Sequence, residues 1–143
     1  MGEMEMYCGE VEVAAKTGVD IRDITSELRA VVSESGIREG VVHATAVGST
    51  GSITAIEYEP GVVADLRQAI DRMAPPGIDY AHEAAWHDGN GHSHVGAALE
   101  GPSISVAIRG GRLLLGTWQQ VVVINHDNRA RNRRVAVTVT GSR

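Results

Sequence analysis

The chain has 143 residues, 43% of them hydrophobic and 22% charged, a composition that supports a folded core and excludes a disordered polymer. No apolar run approaches the roughly 20 residues of a membrane-spanning helix, no basic-then-apolar leader opens the chain, and the single cysteine, Cys8, excludes an intrachain disulfide framework. A net charge of −5 excludes general nucleic-acid affinity. The expectations are therefore one domain over 1–143, a cytoplasmic location, and neither nucleic acid nor membrane as partner.

With no Phe and 3% aromatics, the core must be built from Val, Ile, Leu and Ala. Residues 4–13 alternate apolar and polar and predict a strand. Asp20 or Asp23 then caps a helix carrying Ile24, Leu28, Val31 and Val32 at helical spacing, with Gly36 as its stop. Two β-branched segments, 40–47 and 52–58, flank Gly48-Ser49-Thr50-Gly51, which predicts a hairpin. Pro60 opens a second helix with Val62 or Val63, Leu66, Ile70 and Met73 on one stripe; Pro75-Pro76-Gly77 ends it.

Residues 78–93 are polar, histidine-rich and predicted irregular, followed by a short helix over 95–99 that Gly101-Pro102 ends. Short β-rich segments at 104–108, 113–115, 118–124 and 135–140, joined by turns such as Gly110-Gly111, predict an antiparallel meander. Helices early and strands late define an α+β class: two main helices packed on a largely antiparallel mixed β-sheet.

The strongest chemical signal is histidine placement. Four of six histidines, His82, His87, His92 and His94, fall within thirteen residues, with Glu83 and Asp88 as acidic neighbours. Neutral imidazole is the commonest side-chain metal ligand, and a site needs several converging. If the stretch is extended, His92 and His94 share a face, and the Gly89-Asn90-Gly91 turn folds His82 and His87 over them. The competing reading is a polar surface loop, because the spacing matches no standard zinc signature. Isolated His43 and His126 read as structural or exposed.

Gly48-Ser49-Thr50-Gly51-Ser52 offers backbone N–H groups and hydroxyls that could nest a phosphate, although such residues also populate ordinary turns. Arg129, Arg131 and Arg133 face one way in an extended segment and Arg134 the other. Their forks suit phosphate or carboxylate, or simply guard an edge strand. The aromatic interleaving and wide basic field of a nucleic-acid interface are missing. Glu57 and Glu59 flank Tyr58 and point to one face if the strand continues, either as paired carboxylates for acid–base or cation chemistry or as a solvated face. Trp118 reads as a packing anchor or a pocket wall.

These segments together resemble a known pattern. Leu113-Leu114-Leu115-Gly116-Thr117-Trp118-Gln119-Gln120, preceded by Gly101-Pro102-Ser103 and Gly111-Arg112, closely resembles the signature of the YjbQ-like family, whose members are described as secondary thiamine-phosphate synthases. The resemblance runs on through Tyr80-x-His82, Asp88-Gly89-Asn90-Gly91-His92-Ser93-His94, Ser49-Thr50-x-x-Ile53-Thr54 with Glu57, and Arg133-Arg134, nearly the whole chain. It implies a small α+β subunit assembling as a homotrimer, with a cavity near a subunit boundary and histidine-bound metal. His82 and His94 match recurrent family histidines; Glu57, Asn90, Gln119 and Arg134 match recurrent polar positions. Many members carry histidine where this chain has Gly48; if that histidine ligates metal, this chain has lost a ligand or replaced it with His87 or His92.

The resemblance implies a transferase that joins hydroxymethylpyrimidine diphosphate to thiazole phosphate with loss of pyrophosphate, as a main or a side activity. The expected ligands of a divalent metal, Zn or Mg, are His82 and His94 with His87 or His92. Ser49, Thr50, Gln119 and Arg134 are expected on the phosphorylated substrate, and Glu57, Asp88 and Asn90 in catalysis. The alternatives are a non-catalytic metal- or ligand-binding trimer and a metal-dependent hydrolase of a small phosphorylated metabolite. Three protein ligands plus water would favour catalysis, and four closed ligands structure.

Overall fold

A computed structural model describes residues 2–143. Eight strands and four helices follow in the order β1 (Glu5–Ala15), β2 (Asp20–Asp23), α1 (Thr25–Ser35), β3 (Glu39–Val47), β4 (Gly51–Ile56), α2 (Pro60–Met73), α3 (Ala81–Trp86), α4 (Gly91–Glu100), β5 (Ser103–Arg109), β6 (Arg112–Leu113), β7 (Gln120–Asn125) and β8 (Arg131–Ser142). The class is α+β, as the sequence predicts; among the described residues every strand pairing is antiparallel, so the expected mixed character is not found. The strands divide between two sheets, ordered β1-β8-β3-β5-β6 and β2-β7-β4.

The main core lies between these sheets. Val135, Val137 and Val139 of β8 and Val42, Ala44 and Ala46 of β3 face Ile53 of β4 and Val121 and Val123 of β7, with Leu28 and Val32 of α1 closing one end. β7 is buried on both faces: Val122 and Ile124 point the other way and pack with Ile21 and with Ile70 of α2. Period-2 alternation thus feeds two cores from one strand, which is why Gln120–Asn125 reads as a nearly continuous apolar run.

Helix termini follow the local chemistry. Neither Asp20 nor Asp23 is the N-cap of α1: both belong to β2 and Ile24 stands at the cap, although Asp23 Oδ1 accepts from the Thr25 N–H and hydroxyl; Gly36 ends α1 at φ 70°, in the left-handed region. Pro60 occupies the first position of α2, and the Glu59 carboxylate accepts from the Gly61 and Val62 N–H groups. Glu59 is therefore a cap. The strand predicted over 52–58 stops at Ile56, and Glu57 and Glu59 do not form a carboxylate pair on a strand face.

Other expectations are corrected. The Gly48–Thr50 turn is no hairpin, because β3 and β4 belong to different sheets and the chain steps from one to the other there. The C-terminal strands form no meander: β5 and β6 pair, but β7 crosses to the small sheet and β8 returns between β1 and β3. Residues 78–93 are not wholly irregular, since α3 forms within them and α4 starts at Gly91, four residues before the predicted helix. Trp118 precedes β7 rather than belonging to it and stands 73% exposed, so it anchors no packing within the subunit.

Candidate metal centre and phosphate cleft

α3 and α4 meet at a tight corner that places the histidines. Glu83 of α3 accepts from the Gly89 and Gly91 N–H groups, putting a carboxylate at the start of α4, where the helix dipole favours it. Across this corner His82 from α3, Asp88 from the connecting loop and His94 from α4 converge, one ligand atom of each lying within 4.8 Å of the others. The His82 and His94 rings meet edge to face with centroids 4.6 Å apart, and His82 Nε2 lies 3.1 Å from Asp88 Oδ1. Trp86 stacks over His82 at 6.4 Å between ring centroids.

His94 Nδ1 lies 3.2 Å from the Ser49 carbonyl. A carbonyl oxygen only accepts, so Nδ1 carries a proton, and in the neutral ring Nε2 is the nitrogen with a lone pair to offer. The Asn90 N–H, bonded to Asp88 Oδ1, holds the Asp88 carboxyl below its ordinary range despite partial desolvation, and His82 adds to this. Two imidazoles and one ionised carboxylate therefore form a donor set that fits a divalent ion with positions left open. Imidazole nitrogen suits zinc or iron, whereas Mg²⁺ takes oxygen ligands.

His87 and His92 do not join this cluster. His87 is the left-handed cap of α3, at φ 52°. His92 lies on α4 with His94, and two helical residues point about 200° apart. The extended segment that would align them does not exist. Among the described residues the third donor beside His82 and His94 is Asp88, not His87 or His92.

A cleft of about 310 Å³ adjoins the cluster, lined by Gly48, Ser49, Thr50, Asp88, Asn90, His94, Asp127, Arg131 and Arg133. Its floor is a buried polar network. Asp127, 2% exposed, accepts from Thr50 Oγ1 at 2.9 Å, Asn90 Nδ2 at 3.2 Å, Arg131 Nε at 3.0 Å and the Arg129 N–H at 3.0 Å. Burial pushes the Asp127 carboxyl up, but these hydrogen bonds outweigh it and hold the group below its usual range. Arg133, 5% exposed, donates to Asn125 Oδ1 and Thr50 Oγ1. Glycines make room for it: a Cβ at Gly48 or Gly51 would stand 3.0 or 3.1 Å from Arg133 Nη1.

The strand alternation in β8 that buries Arg133 with Val135 turns Arg134 outward, where it pairs with Glu10 at 2.7 Å. Arg134, expected on phosphate, lies outside the cleft; Arg131 and Arg133 line it instead. Gln119 Oε1 is occupied by the Gly116 N–H, and Glu57 is exposed beyond β4; neither lines the cleft. Asn90 is there, but its side chain is committed to Asp127 and to the Asn128 N–H, so it positions rather than reacts. Asp127 was missed by sequence reasoning. The one available signal was a polar run, Asn125-His126-Asp127-Asn128, closing an otherwise apolar strand.

His126 is structural. It is buried, with Nε2 2.8 Å from Ser52 Oγ, and Gly96 of α4 passes so close that a Cβ there would stand 2.9 Å from its Nδ1. Burial, with Arg133 and His92 adding, lowers its pKa from 6.5 to about 4. The folded value lies below the unfolded one, so the stability it contributes is complete above pH 6.5 and is lost as pH falls toward 4. The drop is about 3 kcal/mol. Denaturant midpoints should fall across this window, and His126→Gln, which keeps a polar group near the Ser52 hydroxyl, should flatten the fall. Parallel curves for the two proteins would remove His126 as its cause.

The model of the family described as UPF0047 protein YjbQ-like matches residues 9–142, and the chain belongs to that family. It is 35% identical to a UPF0047 protein of Methanothermobacter thermautotrophicus over 138 residues, 96% of this chain and 94% of that one. A UPF0047 protein of Archaeoglobus fulgidus is 33% identical over 129 residues, 89% of this chain and 98% of that one. Among solved structures, a YbjQ-like protein from Sulfolobus solfataricus superposes with TM-score 0.93 at 28% identity, covering 98% of this chain and 100% of that one. A hypothetical protein from Aeropyrum pernix gives 0.89 at 27% identity, covering 95% and 99%. No helix among the described residues is long and apolar enough to cross a membrane.

Proposed function

We propose that the His82–Asp88–His94 cleft binds a divalent metal of the zinc type together with a small phosphorylated metabolite, and that the protein is a thiamine-phosphate synthase-like transferase. The reaction is the one its family resemblance implies: hydroxymethylpyrimidine diphosphate joins thiazole phosphate and pyrophosphate leaves. One observation carries this reading: a three-donor metal set opens directly onto a cleft that holds arginine and hydroxyl groups. Three donors, not four, is the count that leaves room for substrate. A bound ion would supply Lewis-acid neutralisation of phosphoryl oxygens.

The chain's own groups do the rest. Arg131, half exposed at the cleft, presents its free guanidinium edge to a phosphate while its Nε holds Asp127. The Ser49 hydroxyl stands beside it as a further donor. His94, its proton held on Nδ1 by the Ser49 carbonyl, offers Nε2 to a metal or a proton. A second hollow of about 460 Å³ shares Gly48, Ser49 and His94 with the cleft and continues past Ala97, Ala98 and Pro102, fitting an uncharged ring. The exposed Leu114 and Trp118, 63% and 73% exposed, support the homotrimer as the form in which such side chains find cover.

Native mass spectrometry tests metal and assembly together: one ion per subunit in a trimer is expected, and a metal-free monomer would overturn both. Arg131→Gln should weaken phosphate-ester affinity by about 1.5–3 kcal/mol, the scale of a charge-assisted hydrogen bond, and Arg134→Gln should leave it unchanged. Release of free phosphate without joining of the two substrates would assign a hydrolase instead.

A further inference from the structure

A larger hollow, about 720 Å³, opens between the β1–β2 turn, α2 and the start of α4. We propose that it is a separate binding site for a small phosphate monoester. Lys16, Arg22 and Arg67 line it against Asp20 and Asp71, an excess of positive charge on a chain whose net charge is −5. The two acids leave one positive charge in excess. Asp20 is spent on the Arg22 Nε at 2.8 Å and on the Lys16 N–H at 2.7 Å. Among the described residues, no carboxylate lies within 4.0 Å of the Lys16 ammonium or the Arg67 guanidinium.

The Arg67 guanidinium and the backbone that carries Lys16 are also held in place. Arg67 Nε donates to the Val19 carbonyl at 2.9 Å, which fixes the guanidinium and leaves its two terminal nitrogens free. The turn bearing Lys16 is tied down at two points: Asn125 Nδ2 donates to the Lys16 carbonyl at 2.7 Å and the Gly18 N–H to the Asp127 carbonyl at 2.8 Å. A side chain at Gly18 would collide with the Asn125 carbonyl, so this close approach needs glycine. A preorganised fork and a point charge together suit a dianion. Val19 and Pro76 in the wall give its organic body an apolar contact.

This site and the metal cleft lie back to back. Asn128 lines the hollow and donates through Nδ2 to the Asp88 carbonyl at 2.8 Å. The two are nevertheless separable, because they share no cation.

The experiment is calorimetric titration of the intact protein with phenyl phosphate. In wild type the hollow's binding adds to that of the metal cleft; in Arg131→Gln, which removes the cleft's phosphate contact, saturable binding should persist and should weaken at least tenfold when Lys16→Gln or Arg67→Gln is added. Lys16→Gln breaks no ion pair, so its thermal midpoint should stay within about 1 °C of wild type. Absence of binding, or binding in Arg131→Gln that adding Lys16→Gln leaves intact, overturns the site. Loss confined to Arg131→Gln also overturns it, while supporting the metal cleft as the only phosphate site.

Discussion

Arg133→Met is expected to cost about 1.5–3 kcal/mol of folding stability, the scale of buried hydrogen bonds made by a charged group. Methionine fills most of the volume but leaves polar atoms behind. Asn125 Oδ1 loses both of its Arg133 donors, and Thr50 Oγ1 loses the donor that lets it accept from Arg133 while giving its own proton to Asp127. Asn125 Oδ1 keeps only the Asp127 N–H at 3.2 Å and Thr50 Oγ1 only the bond it donates, so buried lone pairs lose their partners at a cost in desolvation. Arg134→Met, one residue on, removes an exposed pair with Glu10 and should change stability by no more than about 1 kcal/mol. Chemical denaturation of the two variants beside wild type makes the comparison. Equal midpoints would mean that the floor of the cleft does not help hold the fold.

The second large effect is on metal. Replacing His82 and His94 together by alanine should lower affinity for zinc by more than about 100-fold, since even outer-shell losses cost 10- to 100-fold. Fold and metal separate cleanly here, because His82 is on the short, partly exposed α3 and His94 faces the cleft, so neither fills a core. His87→Ala and His92→Ala should leave affinity within about threefold, because neither belongs to the donor set. Competition with a chromogenic chelator measures all four variants. Unchanged affinity in the double variant would remove the metal centre, and loss in His92→Ala alone would move it.

Much of the chain is legible locally. Gly36, Pro60 and the valine alternation of β8 act through caps and period, and the two helices so marked fall close to expectation, whereas β8 starts at Arg131, four residues before the expected 135. What was not legible depends on distant partners. The Gly48–Thr50 turn has hairpin chemistry, but β4 is claimed by β7, with Gly51 opposite Asn125, and local turn residues cannot report that competition. The histidine cluster was visible as a cluster. Which two of four converge was decided by whether 91–94 is helical or extended, and Glu83 reaching across to cap α4 settles this from outside the segment. The arginine alternation was readable, yet choosing Arg134 over Arg133 required knowing which face of β8 meets Thr50 and Asn125.

The pairing of β1 with β8 has a consequence for the protein as it is being made. β1 leaves the ribosome well before β8, and its partner register runs from Glu5 opposite Gly141 to Ala15 opposite Arg131, so the edge that pairs with β8 stays bare until β8 has emerged. Such an edge is a template for joining the wrong strand. β1 carries Glu5, Glu10 and Glu12 at exposed positions, spaced along the very strand that waits longest. Like charges on nascent copies repel one another and act as gatekeepers against pairing between chains. When β8 arrives, Arg134 meets Glu10, and Arg143 just beyond β8 meets Glu5, so the charges that kept the strand alone during synthesis become the ones that greet its proper partner.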